Sequence, residues 1–178
     1  DRYQPGETAQ IFLPNPLGKN AKALVAVERG TVMDAHIVAL EGAGTTVSIP
    51  IETSSIPNIY VSVIILGKTD IGQPASRQGT VNLLVDPREK MLAIDLVVDQ
   101  PQSQPGDVVT ATLTVKDHLG NPVQGEFSVA IVDKAVLALV DSNSPTMREA
   151  LYGVQPLSVQ TSVSIKTYAA QLALSTMD

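Results

Sequence analysis

Thr45-Thr-Val-Ser-Ile-Pro-Ile51 and, after five intervening residues, Pro57-Asn-Ile-Tyr-Val-Ser-Val-Ile-Ile-Leu66 decide the fold class of this chain. In the first, Val47, Ile49 and Ile51 recur at period two, the pattern of a strand with one buried face. In the second, Ile59 to Leu66 is almost continuously apolar and rich in β-branched residues. That suits a central strand buried on both faces. Pro57-Asn58 punctuates its start, and Gly42 and Gly44 punctuate the start of the other.

The same grammar extends outward. Tyr3-Gln4-Pro5-Gly6-Glu7 is a turn with Pro then Gly, as in type II. Thr8–Leu13 alternates with Ile11 and Leu13 on one face, until Pro14-Asn15-Pro16-Leu17-Gly18 breaks it. Ala21–Glu28 follows, with Ala23, Val25 and Val27 aligned; Arg29-Gly30 turns the chain into a strand over Thr31–Leu40. A polar loop is predicted over Gly67–Gln78, then a strand over Thr80–Val85. About six short strands spaced by roughly 8–12 residues are the signature of a β-sandwich.

Asp86-Pro87-Arg88-Glu89-Lys90 reads as a linker. Beyond it Met91–Val98 is a strand, and Gln104-Pro105-Gly106-Asp107 repeats Gln4-Pro5-Gly6-Glu7 at an offset of 100 residues. An alternating strand follows both copies, here through Val109, Ala111, Leu113 and Val115. A repeat at that spacing implies tandem modules. Lys116–Pro122 is a hairpin-type turn. In Gly125–Leu139, Phe127, Val129 and Ile131 alternate with Glu126, Ser128 and Ala130, which predicts a strand. At Asp133-Lys134 the period changes, and Val136, Leu137 and Leu139 predict a short helical or irregular exit. Ser144 as N-cap, with Pro145 at the first helical position, predicts a helix ended by Gly153. Residues 155–178 are rich in Ser, Thr, Gln and Ala. Leu157, Val159, Thr161, Val163 and Ile165 still alternate, as in a strand that needs a partner.

The expected organisation is therefore all-β: tandem immunoglobulin-like antiparallel sandwiches, a short helix and an extended C-terminal arm. The first sandwich is set at 1–87. The second, at 88–140, has too few strands and is a candidate for completion by 155–166. The arm is 141–178.

Composition narrows the function. Of 178 residues, 44% are hydrophobic but only 3% aromatic, with no Trp, so the core is aliphatic and sugar-stacking platforms are lacking. The net charge of −6 without a basic cluster argues against nucleic acid. The absence of cysteine removes disulfides, thiolate metal sites and a Cys nucleophile. The apolar runs are too short for a membrane-spanning helix. The chain opens in mid-pattern at Asp1-Arg-Tyr-Gln, as expected of a piece of a longer protein whose targeting signal lies upstream. His36 and His118 lack companions for catalysis or metal binding and read as surface residues. Asp107, Asp117, Glu126 and Asp133 read as loop and turn carboxylates rather than a cation site. We assign no catalytic residue, cofactor or metal. The arm offers Arg148, Tyr152, Lys166 and Tyr168, with Leu172, Leu174 and Met177, as side chains that fit protease specificity pockets.

Three stretches, Tyr3–Glu7, Ala23–Gly30 and Pro57–Leu66, resemble a macroglobulin-like module of the bacterial α2-macroglobulin family. A second such module is matched by Pro105–Asp107, Asp117, Gly120, Pro122–Val123 and Gly125–Leu139, followed by Leu151–Ser162; the run Val129–Leu139 is the most specific. The resemblance implies a scaffold leading into a bait region that proteases cleave, cleavage then triggering a trap. The family's thioester motif needs a cysteine and is not in this stretch. Implied partners are target proteases and further macroglobulin-like domains, and the implied setting is the bacterial periplasm or surface, on a membrane-anchored lipoprotein. The competing expectation is a structural module pair of a surface protein or adhesin.

Overall fold

A computed structural model describes residues 2–104, 106–132 and 146–161. The chain divides into two units: residues 1–86 together with the chain from 154 onward, and residues 87–153.

The first unit contains strands β1 (Arg2–Tyr3), β2 (Thr8–Pro14), β3 (Lys22–Glu28), β4 (Val32–Ala39), β5 (Gly44–Pro50), β6 (Asn58–Lys68) and β7 (Pro74–Val85). One sheet has the order β1-β7-β6-β3-β4 and the other is the pair β2-β5. All pairings are antiparallel except β1 with β7. Strand β6 is central. It runs in register with β3 from Lys22↔Leu66 to Glu28↔Tyr60, and with β7 from Asn58↔Leu84 to Lys68↔Pro74.

The interior is aliphatic, as the composition requires. Val25, Ile49, Ile51, Ile59, Val61 and Val85 are among the largest fully buried side chains. Leu13 of β2 lines a groove with Val61, Val63 and Ile65 of β6, which marks where the two sheets face each other. The expectation of a strand buried on both faces at 59–66 holds for Ile59, Val61, Ser62, Ile64 and Ile65; Leu66 is exposed.

The predicted polar loop 67–78 is shorter in the structure. Strand β6 continues to Lys68 and β7 starts at Pro74, leaving a turn in which Thr69 and Gln73 bond each other. Ala75 to Gly79 are polar or small, yet their backbone completes the ladder beside Gly67 to Val63. An exposed edge needs main-chain pairing, not apolar side chains, so the hydrophobic pattern could not reveal it.

The Pro-Gly repeat proves to be a repeated turn. In the first copy Gly6 has φ 91°, the Glu7 amide donates to the Gln4 carbonyl (3.1 Å), and the Glu7 carboxylate accepts from the Gln4 amide (2.8 Å). In the second Gly106 has φ 99°, with the matching bonds between Asp107 and Gln104 at 3.0 and 2.7 Å. Glycine supplies the positive φ, and the acidic side chain of the next residue locks the turn's first amide.

The second unit holds a short 3₁₀ turn at Pro87–Lys90, the antiparallel pair β8 (Ala93–Val98) and β9 (Ala111–Lys116), and helix α1 (Met147–Tyr152). Strand β8 is exposed along its whole length among the described residues. The strand expected at 127–132 is absent: no strand is assigned over 123–132, and Ile131 is 98% exposed. Alternation marks a face that wants burial. A strand forms only where a neighbour supplies the ladder. Residues 133–139, including Asp133, Lys134 and the expected exit at Val136–Leu139, lie outside the described residues.

Helix α1 starts two residues later than expected. Its N-cap is Thr146, whose hydroxyl accepts from the Glu149 amide (3.3 Å) while the Glu149 carboxylate accepts from the Thr146 amide (2.9 Å). This is a capping box, written in the sequence as Thr146-Met-Arg-Glu149. The reciprocal pair outweighs the Ser-Pro signal. Gly153 is the C-cap, as expected.

Candidate functional site

The register of the five-stranded sheet gathers polar side chains on its outer face. Glu28 of β3 pairs with Tyr60 of β6, which pairs with Asn82 of β7; one row on, Ser62 pairs with Thr80. Asn58 shares this face because it lies two residues from Tyr60. Polar groups on a sheet's outer face ordinarily meet water, yet here Asn58 is 0%, Glu28 1% and Ser62 8% exposed.

The chain that returns to this unit at Val154 explains the burial. The Gln155 amide donates to Asn58 Oδ1 (2.9 Å), and Asn58 Nδ2 donates to the Gln155 carbonyl (3.0 Å). Tyr60 Oη adds a third bond to that carbonyl (3.2 Å). Asn58 Nδ2 also donates to Asn82 Oδ1 (3.0 Å), which holds the amide plane. Further along, the Ser158 amide donates to the Arg29 carbonyl (2.8 Å) and Thr161 Oγ1 to Glu28 Oε2 (3.4 Å). Between the segment and the sheet lies a cavity of about 380 Å³, lined by Glu28, Ser62, Gln78, Thr80, Leu157 and Thr161 among others. The described part of 155–166, expected to complete the second module, is thus bonded to the first.

Arg29 braces the loop beside this site. Its guanidinium donates to the carbonyls of Ile56 (2.7 Å), Asn58 (3.0 Å), Ser54 (3.3 Å) and Ser55 (3.5 Å). It therefore fixes the backbone that presents Asn58.

The sequence-predicted positions fall differently. Arg148 and Tyr152 lie in α1, Arg148 exposed and Tyr152 half-buried. Lys166 and Tyr168 lie outside the described residues, as do Leu172, Leu174 and Met177. His36 Nδ1 lies 2.9 Å from Asp34 Oδ2 on the exposed strand β4. Asp117 caps its own turn, accepting from the amides of Leu119 (2.9 Å) and Asn121 (2.8 Å) and from Asn121 Nδ2 (3.0 Å). Those donors, the Asn121 side chain first, hold its carboxyl below the usual range. No group of three or more potential metal ligands occurs among the described residues.

Sequence reasoning missed Asn58, Tyr60, Arg29 and Glu28. A signal was present. Asn58, Tyr60 and Ser62 are the polar members of the run from Asn58 to Leu66 and recur at period two, so all three mark one face.

The fold and the docked segment define a β-sandwich scaffold with a returning segment bonded to its outer face. The family profile of the alpha-2-macroglobulin bait region domain matches residues 1–139, and the chain belongs to that family. It is 25% identical over 166 residues to an alpha-2-macroglobulin homolog of Nostoc sp., covering 89% of this chain and 9% of that protein. It is 28% identical over 193 residues to an alpha-2-macroglobulin of Ralstonia nicotianae, covering 99% of this chain and 11% of that protein. The chain thus spans about a tenth of the length of these relatives.

Proposed function

We propose that this chain is the scaffold and bait portion of a non-enzymatic protease trap: proteases cut chain beyond Thr161, and the first sandwich holds what precedes the cut. The observation that carries this reading is the attachment of 154–161 to a rigid sheet, joined with membership of the bait region family. Proteases bind substrate as an extended strand, so backbone already bonded into a sheet or a helix resists them. Arg148 and Tyr152 lie in a capped helix, which makes Lys166 and Tyr168 the preferred first cleavage positions. Target proteases and the other domains of the parent chain are the partners. The reading extends to a parent anchored as a lipoprotein in the bacterial periplasm or at the cell surface, which fractionation of the source cells checks.

Limited digestion with trypsin and chymotrypsin, followed by intact-mass analysis, tests it. The expected first products end at Lys166 and Tyr168, with residues 2–86 intact. First cuts at Arg148 or Tyr152, or scattered through the strand connections of the first unit, would sink the proposal.

A further inference from the structure

We infer that Asn58 is a latch for the bait's leading edge: its side-chain amide binds the Gln155 peptide as a neighbouring strand would, and so fixes where cleavable chain begins. The inference rests on the proposed function for its link to cleavage, but the docking itself does not. A primary amide offers a carbonyl and an N–H donor side by side, the same pair that a peptide group offers. Asn58 uses both on one residue, at 2.9 and 3.0 Å, and gives its second N–H to Asn82. The amide cannot be flipped, because that would set its NH₂ against the Gln155 N–H and its oxygen against two acceptors. The residue is wholly buried and satisfied, so the latch has one orientation.

The attachments recur at Gln155, Ser158 and Thr161. Pro156 stiffens the segment right after the latch. Single bonds of this kind hold the segment to the sheet without a ladder, and no strand is assigned over 154–161. A protease that needs several extended residues on each side of the cut must first lift this segment off the sheet. Bonds within 154–161 are therefore shielded, and the latch still holds the new end after a cut farther on.

Amide hydrogen exchange on the full chain, read with elastase digestion, tests the latch. Two variants act on opposite sides of it: Asn58→Leu keeps the branched side-chain shape at a somewhat larger volume but removes both bonds, and Gln155→Pro removes the donated N–H and leaves the sheet untouched. In both, exchange at Ser158 rises by about tenfold or more, the loss expected for one or two hydrogen bonds. Elastase then cuts after Leu157 and Val159, while amides of β3, β6 and β7 keep their protection. Fast exchange at Gln155 and Ser158 in the unaltered chain, or no change in either variant, overturns the latch. If these effects appear but 162–178 resists every protease, the latch stands and the bait reading falls.

Discussion

Arg29 shows how one side chain can brace a site through backbone carbonyls. Its guanidinium gathers four carbonyls from Ser54 to Asn58, and its own carbonyl takes the Ser158 amide. A hydrogen bond to a charged donor contributes about 1.5–3 kcal/mol, and carbonyls left without partners add a desolvation cost. Arg29→Met should therefore lower unfolding stability by roughly 2 kcal/mol or more in urea titrations, with little change in the slope. Because the backbone bond to Ser158 survives, the loss falls mainly on the loop. Amide exchange over 54–58 should rise more than at Ser158. Nothing in the residue pattern hints at this role. Arg29 reads there as half of a polar turn, since the carbonyls it binds lie 25–29 positions away and belong to the backbone.

At the level of elements, legibility followed the source of each signal. Strands β2, β3, β5 and β6 were readable because their apolar alternation states directly which face is buried. The first half of β7 was not, because its edge-like pairing makes no demand on side chains. At 127–132 the converse occurred: alternation was present, but no strand is assigned there. Helix α1 was found from its ends, with the cap displaced to Thr146. That capping box has a pH signature. Donation from the Thr146 amide and hydroxyl holds the Glu149 carboxyl below its usual 4.5. A depressed folded value means the stabilisation is present above the ordinary value and lost as pH falls through the folded one. Helical chemical shifts at 147–152 should therefore weaken as pH is lowered below 4.5. Glu149→Gln, which has no proton to gain, should give shifts that stay flat over that window. Equal pH responses in both proteins would show that the box does not control the helix end.

For the whole molecule, chain connectivity carries a consequence that local signals do not. The chain leaves the first unit at Asp86, builds residues 87–153, and comes back at Val154. Departure and return meet at one end of the first sheet, because Leu84 pairs with Asn58 and Asn58 holds Gln155. Residues 154–161 thus belong energetically to a sandwich from which they are separated by an entire second unit. The repeated Pro-Gly turn offers a matched pair of probes for this. Gly6 and Gly106 both sit at positive φ, with no atom near enough to obstruct an added methyl, so alanine acts through backbone strain alone. That strain is about 1–2 kcal/mol. Gly6→Ala should speed amide exchange across β3, β6 and β7 and, with them, at Gln155 and Ser158, leaving β8 and β9 unchanged. Gly106→Ala should do the reverse, loosening β8 and β9 while Gln155 and Ser158 keep their protection. If Gln155 and Ser158 instead responded to Gly106→Ala, the returning segment would belong to the second unit, as the alternation of its side chains first implied.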